Sequence, residues 1–326
     1  MRIPLSLAAG VMSAAICVPA VAQNLPNLSF PVDCGLGETC FLQNLVDRDA
    51  GPGRQDFTCG PASYDGHKGT DIRLATRVEI EDGVAVLAAA PGVVRSVRDG
   101  MADRRLDETP DVTNRECGNG IIIDHADGWS TQYCHLRQGS VRVAPGDRVT
   151  AAQPIGEVGL SGHTEFPHLH LTLRRGDTVI DPFTGAPMDQ PCGITEAIEP
   201  MWDVMLTGAL GAIMLTGFAD HLPAYEEIRT DPPLPNPSTK APAILLWMHA
   251  INLRRGDVLR LQIRAPDGSV FVTDEFVLER DRAAQYRAAG RRLTSAAWQP
   301  GVWLGYAELT RNDRLIDRVV QRMVVE

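Results

Sequence analysis

No basic run longer than a pair occurs in the 326 residues, and the formal net charge is −10. This argues against nucleic acid as the main partner, because neutralising phosphates takes clustered Lys and Arg. There is no C-x2-C pair to nucleate a cysteine-rich zinc site, and no H-E-x-x-H to supply a glutamate base beside metal-binding histidines. No internal repeat is present, and residues 61–185 hold no convincing helix of standard length. Long apolar runs are missing as well. Beyond the N-terminus the longest is 204–218, closed by Asp203 on one side and by Asp220 and His221 on the other. Crossing a bilayer takes about 20 apolar residues, so this run reads as buried strand and the mature chain as lacking a transmembrane segment.

What is there describes an exported globular protein. The composition, 44% apolar and 22% charged, is that of packed domains and not of a disordered chain, and the length suffices for two of them. Residues 1–22 read as a signal peptide: Arg2, a mostly apolar stretch over 3–18, then the small-x-small site Ala20, Val21, Ala22. The expected location is the periplasm or the medium. Cys17 falls inside the apolar stretch and leaves with it. The remaining Cys34, Cys40, Cys59, Cys117, Cys134 and Cys192 are even in number, which in an oxidising compartment reads as disulfides. Spacing favours Cys34 with Cys40, Cys59 with Cys192 and Cys117 with Cys134, one choice among fifteen possible pairings. In that choice Cys134 faces away from its neighbour His135, with the bridge behind the sheet and the histidine in front.

The chain divides by pattern. Residues 23–60 read as an extended arm tied by disulfides. Residues 61–199 read as a domain of short β-type runs, clearest over 84–90, 92–97, 121–125, 130–136 and 168–174, with a hairpin turning at Ala126, Asp127 and Gly128. A charged stretch over 99–115 reads as a surface loop. Residues 200–326 alternate again, broken by a proline-rich segment at 231–237, and read as a small β-sandwich with one short helix near 280–290. The fold class expected is all-β.

Two clusters carry chemistry. One is His67 followed four residues later by Asp71; the other is His168 and His170 opening a strand. In that strand Leu169, Leu171 and Leu173 point one way and His168, His170 and Thr172 the other, so two imidazoles project from one face. A catalytic zinc takes three nitrogen, sulfur or carboxylate ligands and keeps a fourth position open, which suits one pair of nearby residues plus a distant one. His125 reads as structural, His163, Glu165 and Tyr64 as possible groove residues, and His221 and His249 as having no partner motif.

The context of both clusters resembles the lysostaphin-type zinc endopeptidases of bacterial cell walls. The resemblance spans about 61–185. It is carried in order by the segments at 66–72, 84–94, 118–125, 133–136, 143–149, 154–156, 159–162, 167–171 and 179–183. It implies an antiparallel, barrel-like sheet, one zinc per chain held by His67, Asp71 and His170, and His135 and His168 as catalytic histidines. The function it implies is hydrolysis of amide bonds in peptidoglycan peptides or cross-links. The alternative is a non-catalytic peptidoglycan-binding or regulatory module of the same fold, and the complete set of five residues weighs against it. Residues 200–326 could receive an envelope protein partner.

Overall fold

The computed structural model describes residues 27–108, 111–193, 201–202, 210–230, 232 and 238–326. The expected export signal, residues 204–209 of the long apolar run and most of the proline-rich segment lie outside the described residues. In chain order the first half contains β1 (Cys40–Leu42), β2 (Thr70–Leu74), α1 (Val78–Asp82), β3 (Ala85–Leu87), β4 (Gly92–Arg98), β5 (Asn119–Asp124), β6 (Trp129–Leu136), β7 (Arg148–Val149), β8 (Pro154–Glu157), β9 (His168–Arg175) and β10 (Thr178–Ile180). The second half contains β11 (Ala212–Ala219), α2 (Tyr225–Thr230), β12 (Ala243–Leu253), β13 (Val258–Arg264), β14 (Val270–Val277), β15 (Arg282–Arg292), β16 (Gly301–Arg311) and β17 (Arg314–Val325). Among the described residues the fold is all-β apart from two short α-helices and two 3-10 turns at Leu106–Glu108 and Ala126–Gly128.

One antiparallel sheet runs β1-β2-β9-β6-β5-β4-β7, with β10 added to β9, and a second small sheet pairs β3 with β8. Alternation explains how they enclose a core. Leu169, Leu171 and Leu173 of β9 are fully buried with Ile121 and Ile123 of β5, Val86 of β3 and Ile155 of β8, while the polar residues of β9 turn to the opposite face. At the β5–β6 connection Asp127 takes a φ of 55°, a left-handed turn that short polar side chains tolerate.

The arm is more than a strap. Leu28, Val32, Cys40 and Leu45 sit in the same core, and β1 extends the sheet by pairing with β2. Disulfides join Cys34 to Cys40, Cys59 to Cys192 and Cys117 to Cys134. The face of the third bridge differs from expectation. Cys134 lies directly across from His170 in the β6–β9 register, and cross-strand partners share a face, so the bridge sits on the histidine side and not behind the sheet. His135 reaches that side too because its φ of 63° breaks the strand alternation.

In the second half, β11-β12-β15 and β14-β13-β16-β17 form two sheets facing each other across Leu246, Met248, Leu261, Ile263, Trp303 and Leu309. The helix expected near 280–290 is absent; that segment is β15. Its alanines favour helix intrinsically, but the whole length of β12 needs a partner on that side, and pairing runs from Ala243 with Arg292 to Leu253 with Arg282. These sheets rest against the β1–β2 edge of the first half, where Phe41 and Ala75 meet Met214 and Ile251.

Candidate metal centre

Neighbouring strands bring the two sequence clusters together. Asp71 on β2 is paired directly with His170 on β9, and His67 lies four residues ahead of Asp71 in the loop entering β2. The result is three convergent donors. His67 Nε2 is 3.1 Å from Asp71 Oδ1 and 3.1 Å from His170 Nδ1, and His170 Nδ1 is 2.8 Å from Asp71 Oδ1. Among the described residues this is the cluster of histidine, cysteine and carboxylate groups with metal-binding spacing.

What lies behind the cluster determines which atom of each residue is free. His67 Nδ1–H donates to the Leu45 carbonyl at 2.7 Å, leaving the Nε2 lone pair facing inward. Asp71 Oδ2 accepts from Asn44 Nδ2 at 2.7 Å, so Oδ1 remains. His170 Nε2 meets Thr172 Oγ1 at 3.0 Å, so Nδ1 remains. Each residue thus presents one unengaged donor with its other polar atom already held, as metal ligands generally are. Two imidazoles and one carboxylate are a donor set that suits zinc.

The electrostatics favour an anionic Asp71. Burial raises its pKa, but the neighbouring His67, His168 and His170 outweigh this and hold it well below the carboxylate range. Burial likewise lowers that of His67, yet Asp71 and the Leu45 carbonyl bring it above the usual histidine value.

His135 and His168 stand beside the three. The His135 ring is 4.6 Å from that of His168 and 6.0 Å from that of His170, and His168 Nε2 is 3.5 Å from Asp71 Oδ1. His135 Nδ1–H donates to the Ser161 carbonyl at 2.8 Å. His168 Nδ1–H donates to the Phe166 carbonyl at 2.9 Å, with Thr164 Oγ1 at 3.1 Å. Both rings therefore keep an unprotonated Nε2, that of His168 facing Asp71. Burial, with neighbouring histidines adding to it, pushes the pKa of His135 well below the ordinary value, and burial also lowers that of His168.

The remaining sequence candidates separate clearly. Tyr64 is half exposed with its ring 4.5 Å from His67, and burial together with Asp71 pushes its phenol up to about 12. His125 is structural, bonded to the Pro91 carbonyl and to Thr131. His163 and Glu165 are exposed on the loop before β9. His249 is buried far along β12 and His221 is a surface residue bonded to Asp220. Asn44, Leu45, Ser161 and Thr164 escaped sequence reading, since a carbonyl or amide that holds a ligand has no spacing signal. Thr172 did have one, as the next residue on the histidine face of β9. A cleft of about 620 Å³, lined among others by Asp47, Gly66, Lys68 and Arg174, opens beside His67.

Residues 65–182 match the family model described as Peptidase family M23. That stretch, about a third of the chain, is similar to an M23 peptidase domain. Cell division protein DipM of Caulobacter vibrioides is 32% identical over 116 residues, covering 36% of this chain and 17% of that protein. Peptidoglycan DD-endopeptidase ShyA of Vibrio cholerae is 29% identical over 107 residues, covering 33% and 20%. The chain thus spans at most about a fifth of the length of these curated relatives. Among solved structures, the catalytic domain of the antimicrobial peptidase lysostaphin from Staphylococcus simulans is 26% identical, covering 36% of this chain and 76% of that one, with a TM-score of 0.27. The M23 match takes in His67, Asp71, His135, His168 and His170 and leaves out the arm and β11 to β17.

Proposed function

We propose that this protein is an exported zinc endopeptidase that hydrolyses amide bonds in bacterial peptidoglycan peptides or cross-links. One zinc per chain is held by His67 Nε2, Asp71 Oδ1 and His170 Nδ1. The observation that carries the reading is the convergence of these three donors, each with its other polar atom engaged. The M23 match and the Vibrio cholerae relative's name support the substrate class, and the three disulfides support an oxidising compartment. Among the described residues no helix is long and apolar enough to cross a membrane.

Zinc in this site supplies Lewis acidity towards a carbonyl and lowers the pKa of water towards about 7. The chain does the rest. With no glutamate beside the cluster, the unprotonated Nε2 atoms of His135 and His168 are the bases at hand, and in the neutral state they can accept a proton from water. Once protonated, the same Nε2–H can donate to the departing amine or to the oxyanion. Asn44 and Leu45 hold the donors still while this happens. In a Gram-negative wall the bond cleaved would be the cross-link between D-alanine and diaminopimelate and not a glycine bridge.

Digestion of purified peptidoglycan by the zinc-loaded full chain, with and without a chelator and with products identified by mass, tests the reading. Cross-linked fragments should shorten at an amide bond, and the chelator should stop it. Undigested fragments that co-sediment with the protein would show a binding module instead.

A further inference from the structure

Arg73 presents an energetic anomaly. Its guanidinium is buried on β2 and, among the described residues, no carboxylate lies within ion-pairing distance of it. A buried unpaired charge costs several kcal/mol, about the penalty other proteins avoid by supplying a carboxylate. Neutral groups hold it instead. Its NH1 donates to Gln43 Oε1 at 2.7 Å, its Nε to the Leu74 carbonyl at 3.3 Å, and its plane lies over the Phe166 ring at 4.3 Å.

Each of those contacts leads somewhere. Arg73 is the register partner of His168. Phe166 stands with its ring 4.8 Å from the His168 ring, and its carbonyl accepts from His168 Nδ1. In the other direction, Gln43 Nε2 donates to Asn252 Oδ1 at 3.4 Å and to the Ala283 carbonyl at 3.3 Å, on β12 and β15 of the second half. Asn252 returns a bond from Nδ2 to the Leu42 carbonyl at 2.8 Å. A second grip comes from α2. Arg229 NH2 donates to the Glu165 carbonyl at 3.2 Å, and Glu226 pairs with Arg105 on the neighbouring charged loop. That loop is itself bonded to the same segment, Leu106 N–H donating to the Thr164 carbonyl at 2.8 Å.

We propose that Arg73 and Arg229 are positioning residues for His168, so that β11 to β17 and α2 form part of the reacting unit and are not a detachable binding module. The inference rests on the catalytic reading of His168. The 164–166 segment sets the tautomer and direction of that ring. It is fixed from below by Arg73 through the Phe166 face and from the side by Arg229 through the Glu165 carbonyl. Lysine cannot replace Arg73, because only a flat guanidinium covers the ring while keeping its bond to Gln43. It can replace Arg229, whose hold on the segment is one bond to the Glu165 carbonyl and whose other contacts, Glu226 and the Tyr225 ring, accept any cation.

The test uses the zinc-loaded full chain and the variants Arg73→Lys, Arg229→Ala and Arg229→Lys. Imidazole nitrogen NMR reads the Nδ1–H tautomer of His168, and kinetics on purified cross-linked fragments read kcat and KM separately. Arg73→Lys and Arg229→Ala are expected to lose the single protected Nδ1–H signal and to drop kcat roughly 10-fold with KM and bound zinc unchanged, since small misplacement of a reacting group costs rate and not affinity. Arg229→Lys is expected to restore both. An unchanged His168 signal in folded Arg73→Lys and Arg229→Ala protein overturns the proposal. If the wild-type chain hydrolyses nothing, the functional reading fails, and the NMR signal by itself still decides whether these arginines position His168.

Discussion

Asn44 decides which oxygen of Asp71 is free, and Leu45 decides which nitrogen of His67 is free. Both residues come from the arm, over twenty positions from the ligands they hold, and no motif marks them. His67, Asp71, His168 and His170 stood out by type and spacing, and His135 only through the family resemblance. Their supports did not, because a backbone carbonyl looks the same at every position. Removing a partner that holds a metal ligand typically costs 10–100-fold in affinity. Asn44→Ala should therefore weaken zinc binding by about that factor, which a competition titration against a chromogenic chelator measures. The two histidines proposed as catalytic should behave differently. His135→Ala and His168→Ala should keep zinc yet lose activity by roughly 10²–10⁴-fold each, the usual scale for proton transfer and oxyanion contacts. Near-normal turnover in either variant would remove that histidine from the mechanism.

At the scale of elements, strand alternation was readable wherever one face meets the core. Strand β9 is the clearest case, with three leucines inward and two histidines outward. Alternation misleads where the backbone leaves the pleat. The positive φ at His135 turns its side chain to the face that Cys134 already occupies, and nothing in the local sequence signals that. Strand β15 was misread for the opposite reason: its alanines carry a helical preference that pairing with β12 overrides. Strand β12 also has a pH signature. His249 is buried there with Nε2 at 3.2 Å from the Tyr225 hydroxyl, and burial with Arg73 and Arg229 nearby pulls its pKa down to about 3. The folded protein thus keeps it neutral where the unfolded chain takes up a proton near pH 6.5. Its contribution is intact above that pH and is lost as pH falls towards 3, on the order of 2 kcal/mol by pH 5. Denaturant unfolding at pH 7 and pH 5 should show a smaller loss in His249→Gln than in the wild type. An equal loss in both would mean that His249 does not couple to stability.

At the scale of the whole molecule, the arm, the M23 module and the C-terminal sheets converge on one small region of β2 and β9. The arm supplies Asn44 and Leu45, the module supplies the donors, and β12, β15 and α2 reach the loop that orients His168. The sequence pattern separates these parts by composition and turn signals; long-range contacts between residues such as Gln43 and Asn252, 209 positions apart, bring them back together and leave no periodic trace. The account stands on a single metal centre per chain, so counting zinc in the purified full-length protein and in Asp71→Ala tests it most directly. One zinc per chain is expected in the wild type, with most of it lost in the folded variant because the sole anionic ligand is gone; stoichiometric zinc retained in Asp71→Ala would contradict the assignment.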